Sequence, residues 1–568
     1  MPMIAVSAGD MAWNKTGAWR TQRPIYEDKT PPCSAACPAG NDIVKFIQKI
    51  EKEDFEGAWN IIKEESPFPG VCGRVCFHPC ESKCNRGSFD EPIAIHALER
   101  FVADFGSRLR KKIPKLGEKR EEKVAIIGSG PAGMTCAYHL ARLYYDVTVF
   151  ESFPLAGGML RLGIPSYRLP RDVLDRELSD IEALGVKIRT GVTLGEDIRL
   201  EDLKDYQAIF ISIGAHHSRG LSIPGEREKG VLSGLELLKR INLRKKVKLG
   251  DKIAVIGGGN TAIDVARSVV RMGKKATILY RRSREEMPAF EEEILEAIEE
   301  GVKIRYLINP IRVGQKDGLK RIECLKMELG EKDESGRRRP IPIPNSNFRV
   351  NVDNVIVAAG EEIEASFLPE ALERKEGLVL TRRDGSTGIK GLFAGGDLTS
   401  NQRTVAHAIG SGKKAAMAID AFLNGRNSDA IFQNLIGEGP SISIFGYFHP
   451  GERLRNSHVV AFEELNMDYF DPAKRQEESK RPVKDRIKGF KEVSTTFSES
   501  VALEEARRCF NCGTCNECEV CYVFCPDISI LKRDGLFLRQ VDYDYCKGCG
   551  ICFTECPRGV ISLQEEAK

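Results

Sequence analysis

The chain has 568 residues, with 85 Lys and Arg against 82 Asp and Glu and a net charge of +3. That length suffices for several domains, and the near-neutral balance leaves no electrostatic footprint for a nucleic-acid partner. No apolar run approaches the roughly eighteen residues of a membrane span, and MPMIAVSAGDMAWNKTG lacks the basic and apolar regions of a secretory signal, so a cytoplasmic protein is expected.

Sixteen of the 18 cysteines fall in two blocks, within residues 33–84 and 509–556. Spacings of two and three residues in a cytosolic chain favour metal ligation over disulfides. Cys136 and Cys324 stand alone and read as small buried hydrophobes. The first unit, residues 1–115, carries Cys33-x3-Cys37-Pro38 and then Cys72, Cys76, Cys80 and Cys84 at intervals of four. Residues 43–62 and 93–105 have helical spacing, and the second stretch carries Glu99. Gly73 and Pro79 argue against one helix running through the cysteines. A loop wrapped around a metal is expected, with a metal-free thiol cluster as the alternative. A charged connector, 106–123, follows and reads as solvated.

Residues 124–127 form an apolar, β-branched run, the mark of a buried parallel strand. Gly128-Ser129-Gly130-Pro131-Ala132-Gly133 then opens an Ala/Leu-rich helix, and a second strand, 147–150, ends in Glu151. Such glycines let a pyrophosphate approach the backbone, where a helix N-terminus supplies N–H groups and a positive dipole end. Glu151 is placed to accept from an adenosine ribose hydroxyl. Beyond it come 157–165 (GGMLRLGIP), Arg168-Leu169-Pro170, a helix at 173–184, a strand at 186–189 and an apolar strand, 208–214, ending in Gly214.

A second nucleotide motif starts at residue 253, where Gly257-Gly258-Gly259-Asn260-Thr261-Ala262 fits G-x-G-x-x-A. Its second strand, 276–280, ends in Arg281-Arg282 rather than an acid. Guanidinium forks suit a 2′-phosphate, which tilts the choice toward NADP(H) over NAD(H); a solvated arginine loop is the alternative. Two such motifs imply two facing dinucleotides, with the second domain inserted into the first. After a strand at 354–360, Gly395-Gly396-Asp397 makes a turn whose carboxylate can hold a ribityl hydroxyl. The helix starting at Thr404-Val405-Ala406 can point its positive end at the flavin edge that gains charge on reduction. Residues 426–500 read as a linker that packs across the surface.

Two copies of the bacterial ferredoxin run close the chain: Cys515-x2-Cys518-x2-Cys521-x3-Cys525-Pro526 and Cys546-x2-Cys549-x2-Cys552-x3-Cys556-Pro557. In that fold the fourth cysteine of each run ligates the other cluster, pairing Cys556 with the first three and Cys525 with the second three. Zinc needs only four cysteines per metal and does not call for this doubled pattern. Cys509 and Cys512 precede the unit and are not needed by it.

These motifs together resemble the small subunit of bacterial glutamate synthase and the electron-entry module of dihydropyrimidine dehydrogenase. The matching pieces are 73–84 (GRVC…PCE…C), 128–133, 157–165, 257–264, 280–289 (YRRSREEMPA) and 394–397. The resemblance implies an α/β chain with two Rossmann-like domains arranged as in disulfide reductases, preceded by an α-helical iron–sulfur domain and followed by an α+β ferredoxin-like domain. It implies FAD in the first dinucleotide domain, contacted by the 128–133 turn, Glu151, Gly158, Met159, Leu160, Arg161, Ile164, Arg168, Gly214, Gly396 and Asp397. NADP(H) or NAD(H) belongs in the second, and four [4Fe–4S] clusters are expected. The expected divisions are an iron–sulfur unit (1–115), a leading FAD segment (116–235), the NAD(P)H domain (236–352), a returning FAD segment (353–425), a linker (426–500) and a ferredoxin unit (501–568).

The chain departs from the glutamate synthase pattern because no cysteine precedes Cys33. Cys37, Cys76, Cys80 and Glu99 account for one N-terminal cluster. Cys33 and Cys84 lack two ligands for the other. Cys509 and Cys512 carry the context EARRCFNC that the family places before that position. They are expected to complete the cluster, from the same chain or a partner, leaving Cys72 a spare thiol or a substitute ligand. Hydride chemistry moves two electrons and clusters move one, so a flavin belongs between them, and no catalytic acid or base is needed. The expected activity is electron transfer between NAD(P)H and a redox partner, a large catalytic subunit or a ferredoxin, within a hetero-oligomer. Three other readings are weaker. A disulfide reductase needs a cysteine pair beside the flavin. A glutamate synthase small subunit proper would have no use for the terminal ferredoxin. An iron–sulfur sensor would not need both nucleotide motifs.

Overall fold

Strand-turn-helix units with apolar strands must stack into parallel sheets covered on both faces. The computed structural model describes residues 14–109, 113–316, 318–428, 441–449, 456–532 and 539–566. Most of the stretch read for a secretory signal, residues 1–13, lies outside the described residues.

Two five-stranded parallel sheets occupy the middle of the chain. The first runs Leu392–Ala394, Ala208–Ile211, Lys123–Ile127, Asp146–Glu151 and Lys187–Thr190 in spatial order. The second runs Lys303–Arg305, Lys275–Leu279, Lys252–Ile256, Asn354–Val357 and Val231–Ser233. The last two strands of the second sheet differ from the expected divisions, because Val231–Ser233 pairs with Asn354–Val357, which in turn pairs with Lys252–Ile256. The inserted domain therefore extends on both sides of 236–352. An apolar strand ending in glycine fits either sheet equally well, and only the crossover geometry decides between them.

Between Ile308 and Val352 the second domain adds an antiparallel sheet of four strands. Its long strand, Leu319–Lys332, pairs with Ile308–Lys316, Arg338–Pro342 and Phe348–Val352.

The N-terminal unit is helical. Ile43–Glu51 and Phe55–Glu65 are separate helices, the second capped by the Asp54 carboxylate accepting from Gly57 N. Proline starts each of the short helices that carry cysteines, Pro32–Ala36, Pro69–Val75 and Pro79–Ser82, where its missing N–H is harmless. The chain breaks between the last two at His78, whose φ is 53°. Apolar residues of this unit and of the first sheet form one continuous core. The helix Val405–Leu423 joins them. A Cβ on Gly410 would stand 2.2 Å from the Pro38 carbonyl oxygen, and one on Gly412 would stand 2.1 Å from that of Ala132.

Residues 456–500, part of the stretch expected to link and pack across the surface, form a strap. Arg100 meets Glu478 and Glu492 at 3.2 and 2.9 Å, Lys480 meets Glu296 at 2.7 Å, and Val493 N donates to Tyr167 O at 3.0 Å. Three domains are thereby tied by one segment. Charged, aperiodic sequence hides such a role, since its partners are all distant. The chain ends also meet: Gln22–Tyr26 pairs antiparallel with Ile561–Glu565, so a piece of the expected iron–sulfur unit belongs to the ferredoxin sheet.

Because Gly412 faces a backbone oxygen that cannot swing aside, Gly412→Ala should destabilise the protein by about 1–3 kcal/mol and reduce the flavin retained on purification. An unchanged urea midpoint with full flavin content would show that the two helices can separate freely.

Candidate functional site

A cavity of about 1460 Å³ lies between the two sheets. Gly128, Gly130, Pro131, Ala132, Glu151, Gly158, Met159, Leu160, Ile164, Arg168, Gly214, Gly396, Asp397, Thr404 and Val405 line it from the first domain. Asn260 and Thr261 line it from the second. Gly133, Gly257, Gly259, Ala262 and Ala406 do not line it. Gly128 needs its φ of 101°, and a Cβ there would stand 2.5 Å from Ser212 O. The Glu151 carboxylate accepts from Ser129 N at 2.9 Å and from Phe153 N at 2.8 Å, which fixes it at the cavity wall. It retains lone pairs for a hydroxyl.

Asp397 is pushed up to about 6, chiefly by burial and against the pull of Arg403, with Glu361 adding to the rise. Glu361 accepts from Thr261 Oγ1 at 2.9 Å, and its backbone oxygen accepts from Arg403 Nη1 at 2.5 Å. Thr261 of the second nucleotide turn is thus tied through Glu361 to Arg403, just ahead of the helix Val405–Leu423. Sequence reading passed over Glu361 and Arg403, which lie outside both glycine motifs. Arg161 stays off the cavity, with its guanidinium bound by Ala156 O and Asp175.

Arg281 and Arg282 separate in role. Arg282 is buried, donating to Asp333 at 2.5 Å and to Arg338 O at 2.8 Å. Arg281 is exposed, and loss of some of its hydration, then neighbouring Arg282 and Arg337, hold it below the usual guanidinium range. The run Arg337-Arg338-Arg339 is carried to this place by the antiparallel sheet and adds cationic charge that the motif alone does not disclose.

Val75 and Phe77 reach the cavity from the N-terminal unit on either side of Cys76. Phe77 stacks on His407, at the start of the helix Val405–Leu423, with centroids 5.7 Å apart. Behind them the thiols gather in groups. Burial, then neighbouring Glu99, Cys76 and Cys37, drives the Cys72 thiol well up. Cys80 is raised by burial and by Cys37, Glu81, Cys76 and Cys33. Burial raises Glu99 to about 8, although Asn41 Nδ2 donates to its Oε1 at 3.0 Å. Next comes Cys33, raised by burial and by Cys84, Cys509 and Cys512. Asn85 Nδ2 donates to Cys512 Sγ at 3.6 Å. Cys509 and Cys512 therefore lie beside Cys33 and Cys84 within one chain.

In the ferredoxin unit the neighbours cross between runs. Cys521 lies by Cys556 and Cys518, while Cys546 lies by Cys525, and Cys552 by Cys546 and Cys549. Cys515 lies by Cys521 and Cys518. Cys518 and Cys549 are exposed. Thiols packed this closely repel one another once ionised and lack polar partners while neutral, a donor set suited to an iron–sulfur core. Cys136 and Cys324 are fully buried, and neither lines the cavity.

His78, Glu81 and His96 also converge, with ligand-type atoms within 4.8 Å of one another. Arg475 lies 2.7 Å from Glu81, and Glu478 lies 3.5 Å from His96, so the group forms an ion-paired cluster beside Cys80.

Residues 122–412 match the pyridine nucleotide-disulphide oxidoreductase model. Residues 16–111 match dihydropyrimidine dehydrogenase domain II, 4Fe–4S cluster, and residues 539–562 match a 4Fe–4S binding domain. The chain is 39% identical over 514 residues to the NADP(+)-dependent formate dehydrogenase subunit beta of Moorella thermoacetica, covering 85% of this chain and 70% of that one. It is 36% identical over 520 residues to the NADPH-Fe(3+) oxidoreductase subunit beta of Geobacter sulfurreducens, covering 85% and 75%. Over 400 residues it is 34% identical to the NAD-dependent dihydropyrimidine dehydrogenase subunit PreT of Escherichia coli, covering 69% and 91%.

Removing the exposed guanidinium should cost a charge-assisted contact and leave the turn intact. Arg281→Ala is expected to weaken NADPH binding about ten- to a hundredfold and to change NADH binding little. Equal losses for the two coenzymes in anaerobic titrations would remove Arg281 from the 2′-phosphate site.

Proposed function

The chain belongs to the pyridine nucleotide-disulphide oxidoreductase family, and from that premise we propose how its residues divide the work. It is an NAD(P)H-dependent iron–sulfur flavoprotein that transfers electrons between the nicotinamide coenzyme and an acceptor. When bound, FAD supplies the exchange between a two-electron hydride and single electrons, and the [4Fe–4S] clusters carry those electrons one at a time.

In this reading the N–H groups of the 128–133 turn hold the FAD pyrophosphate, Glu151 accepts from the adenosine ribose, and Asp397 accepts from the ribityl chain. The N-terminus of Val405–Leu423 lends its dipole to the flavin edge that gains negative charge. Asn260 and Thr261 would hold the coenzyme from the second domain's side of the cavity, and Arg281 would select for the 2′-phosphate. Cys37, Cys76, Cys80 and Glu99 hold the cluster nearest the cavity, with Cys72 as a spare neighbour. Cys33, Cys84, Cys509 and Cys512 hold the next. Cys515, Cys518, Cys521 and Cys556 hold the third, and Cys546, Cys549, Cys552 and Cys525 the fourth.

The observation that carries this reading is the gathering of thiols into groups, beginning at Cys76, between the cavity-lining Val75 and Phe77, and ending at the exposed Cys549. Disulfide exchange, which the family name suggests, would need a cysteine pair at the cavity, and neither Cys136 nor Cys324 lines it. The acceptor is a redox subunit that meets the ferredoxin end, within a hetero-oligomer. The relatives named as subunits support this assignment.

Purified anaerobically, the protein should hold about sixteen irons per chain, four for each cluster, and NADPH should bleach its flavin. The double variant Cys509→Ser, Cys512→Ser should lose about four irons. It should keep NADPH-dependent flavin bleaching while its ferredoxin clusters stay oxidised. Reduction of those clusters at the wild-type rate in this variant would break the proposed order.

A further inference from the structure

The ferredoxin unit takes its first strand from the opposite end of the chain. Gln22–Tyr26 pairs with Ile561–Glu565, and Tyr26 stands opposite Ile561. The register is held on both sides of Tyr26. Tyr543 Oη donates to Pro24 O at 2.8 Å, and Glu27 N donates to Val560 O at 3.3 Å. At the near end Arg20 meets Glu566 at 2.5 Å.

This strand packs the Tyr26 ring on the small core of the unit, Ile530, Cys552 and Ile561, which Cys521, Cys525 and Cys556 also flank. Its hydroxyl is buried and has no oxygen or nitrogen partner among the described residues, only the weakly accepting sulfurs of Cys521 and Cys552 within reach. A buried hydroxyl left so costs about 1–3 kcal/mol, and native structures seldom retain one without reason. The neighbours that this hydroxyl faces are Cys552 and Cys521. These two belong to different metal groups by the crossed pairing above. The orphan donor therefore points into the gap between the two groups, where sulfur is the acceptor within reach.

We propose that Tyr26 is a tuning residue for both terminal clusters, its hydroxyl donating a hydrogen bond to sulfur on whichever of the two carries the extra electron. The inference rests on the reading that the last eight cysteines hold a pair of [4Fe–4S] clusters. A hydrogen bond to cluster sulfur stabilises the more negative, reduced form and raises the potential. A single O–H serves one acceptor at a time, and rotation about the C–O bond lets it serve either. Tyr26 keeps its proton throughout and no electron passes through it. The N-terminal strand thus joins structure to electrochemistry: the first residues of the chain set how readily the last ones accept electrons.

The test uses the full-length, anaerobically purified protein, with each cluster followed by electron paramagnetic resonance at fixed applied potentials. Tyr26→Phe keeps the ring and removes the donor. At a given potential the reduced-to-oxidised ratio of the terminal clusters should fall about three- to tenfold, tenfold being 59 mV for one electron, while the N-terminal clusters stay unchanged. Incorporating 3-fluorotyrosine at position 26, a stronger donor of nearly the same shape, should raise the ratio. This second variant decides the matter should Tyr26→Phe lose iron. Unshifted ratios in chains with full iron content overturn the proposal alone. A wild-type chain with no clusters at the last eight cysteines overturns the ferredoxin reading, and the proposal with it.

Discussion

Two glycines on one helix fix how far the cavity can lie from the first thiol group. Gly412 admits the carbonyl of Ala132, the second helical residue after the pyrophosphate turn, and Gly410 admits that of Pro38, beside Cys37. The helix Val405–Leu423 is thus a rigid spacer with the first nucleotide turn on one side and Cys37 on the other. Its next residue, Lys413, is fully buried and donates to Glu65 at 2.6 Å and to Ala39 O at 2.5 Å. A buried pair of this kind adds little net stability, but losing one partner costs about 3–5 kcal/mol. What it secures is register: Ala39, Glu65 and Ile442 can be satisfied together only when the helix sits at one depth. Electron transfer weakens steeply with distance, so a fixed depth is a functional requirement as well as a packing one.

The second domain is held to the first by charge. Arg168 meets Asp264 at 2.9 Å and Glu293 at 2.7 Å. Arg267 and Arg271, on the helix that follows the second nucleotide turn, share Glu300 and stack on Tyr167 at 4.8 and 3.8 Å. The strap adds Lys480 to Glu296 and Arg486 to Glu299. Removing a buried member such as Arg168 or Arg267 would leave buried carboxylates uncompensated, so the network specifies one orientation even where it adds little stability. That orientation is the one that sets Thr261 against Glu361, across the mouth shared by both nucleotide turns.

What could be read from the sequence was whatever the backbone demands locally. A pyrophosphate turn needs glycine at set offsets, and a ferredoxin run needs cysteine at set offsets, so both are visible in one short window. The nearness of Cys509 and Cys512 to Cys33 and Cys84 was legible for a related reason: the family resemblance left Cys33 and Cys84 short of companions, and EARRCFNC supplied a candidate. Pairing partners were not legible. Asn354–Val357 and Ala208–Ile211 have the same apolar, glycine-ended character and sit in different sheets. Gln22–Tyr26 contains a proline and is flanked by charge, so nothing marked it as the edge of a sheet whose other strand begins at Ile561. Arg282 failed in another way, since its residue type suited a phosphate and its burial gave it to Asp333 instead.

Bringing both ends of the chain together has a calculable entropic side. Closing the loop from Cys33 to Cys509 costs only about 3 kcal/mol more than closing one of some fifteen residues, because the cost grows with the logarithm of length. Most of that is already met by contacts that need no metal. Lys29 N donates to Gly513 O at 2.7 Å, Thr30 N donates to His458 O at 2.9 Å, and the terminal strand pairs at five positions. The thiol groups are therefore assembled by ordinary backbone pairing along the strap and the edge strand, with the sulfur positions following from it. This is why Arg508, next to Cys509, is buried between Glu505 and the backbone at Glu91. With the guanidinium so held, the position of the adjacent sulfur is fixed as well.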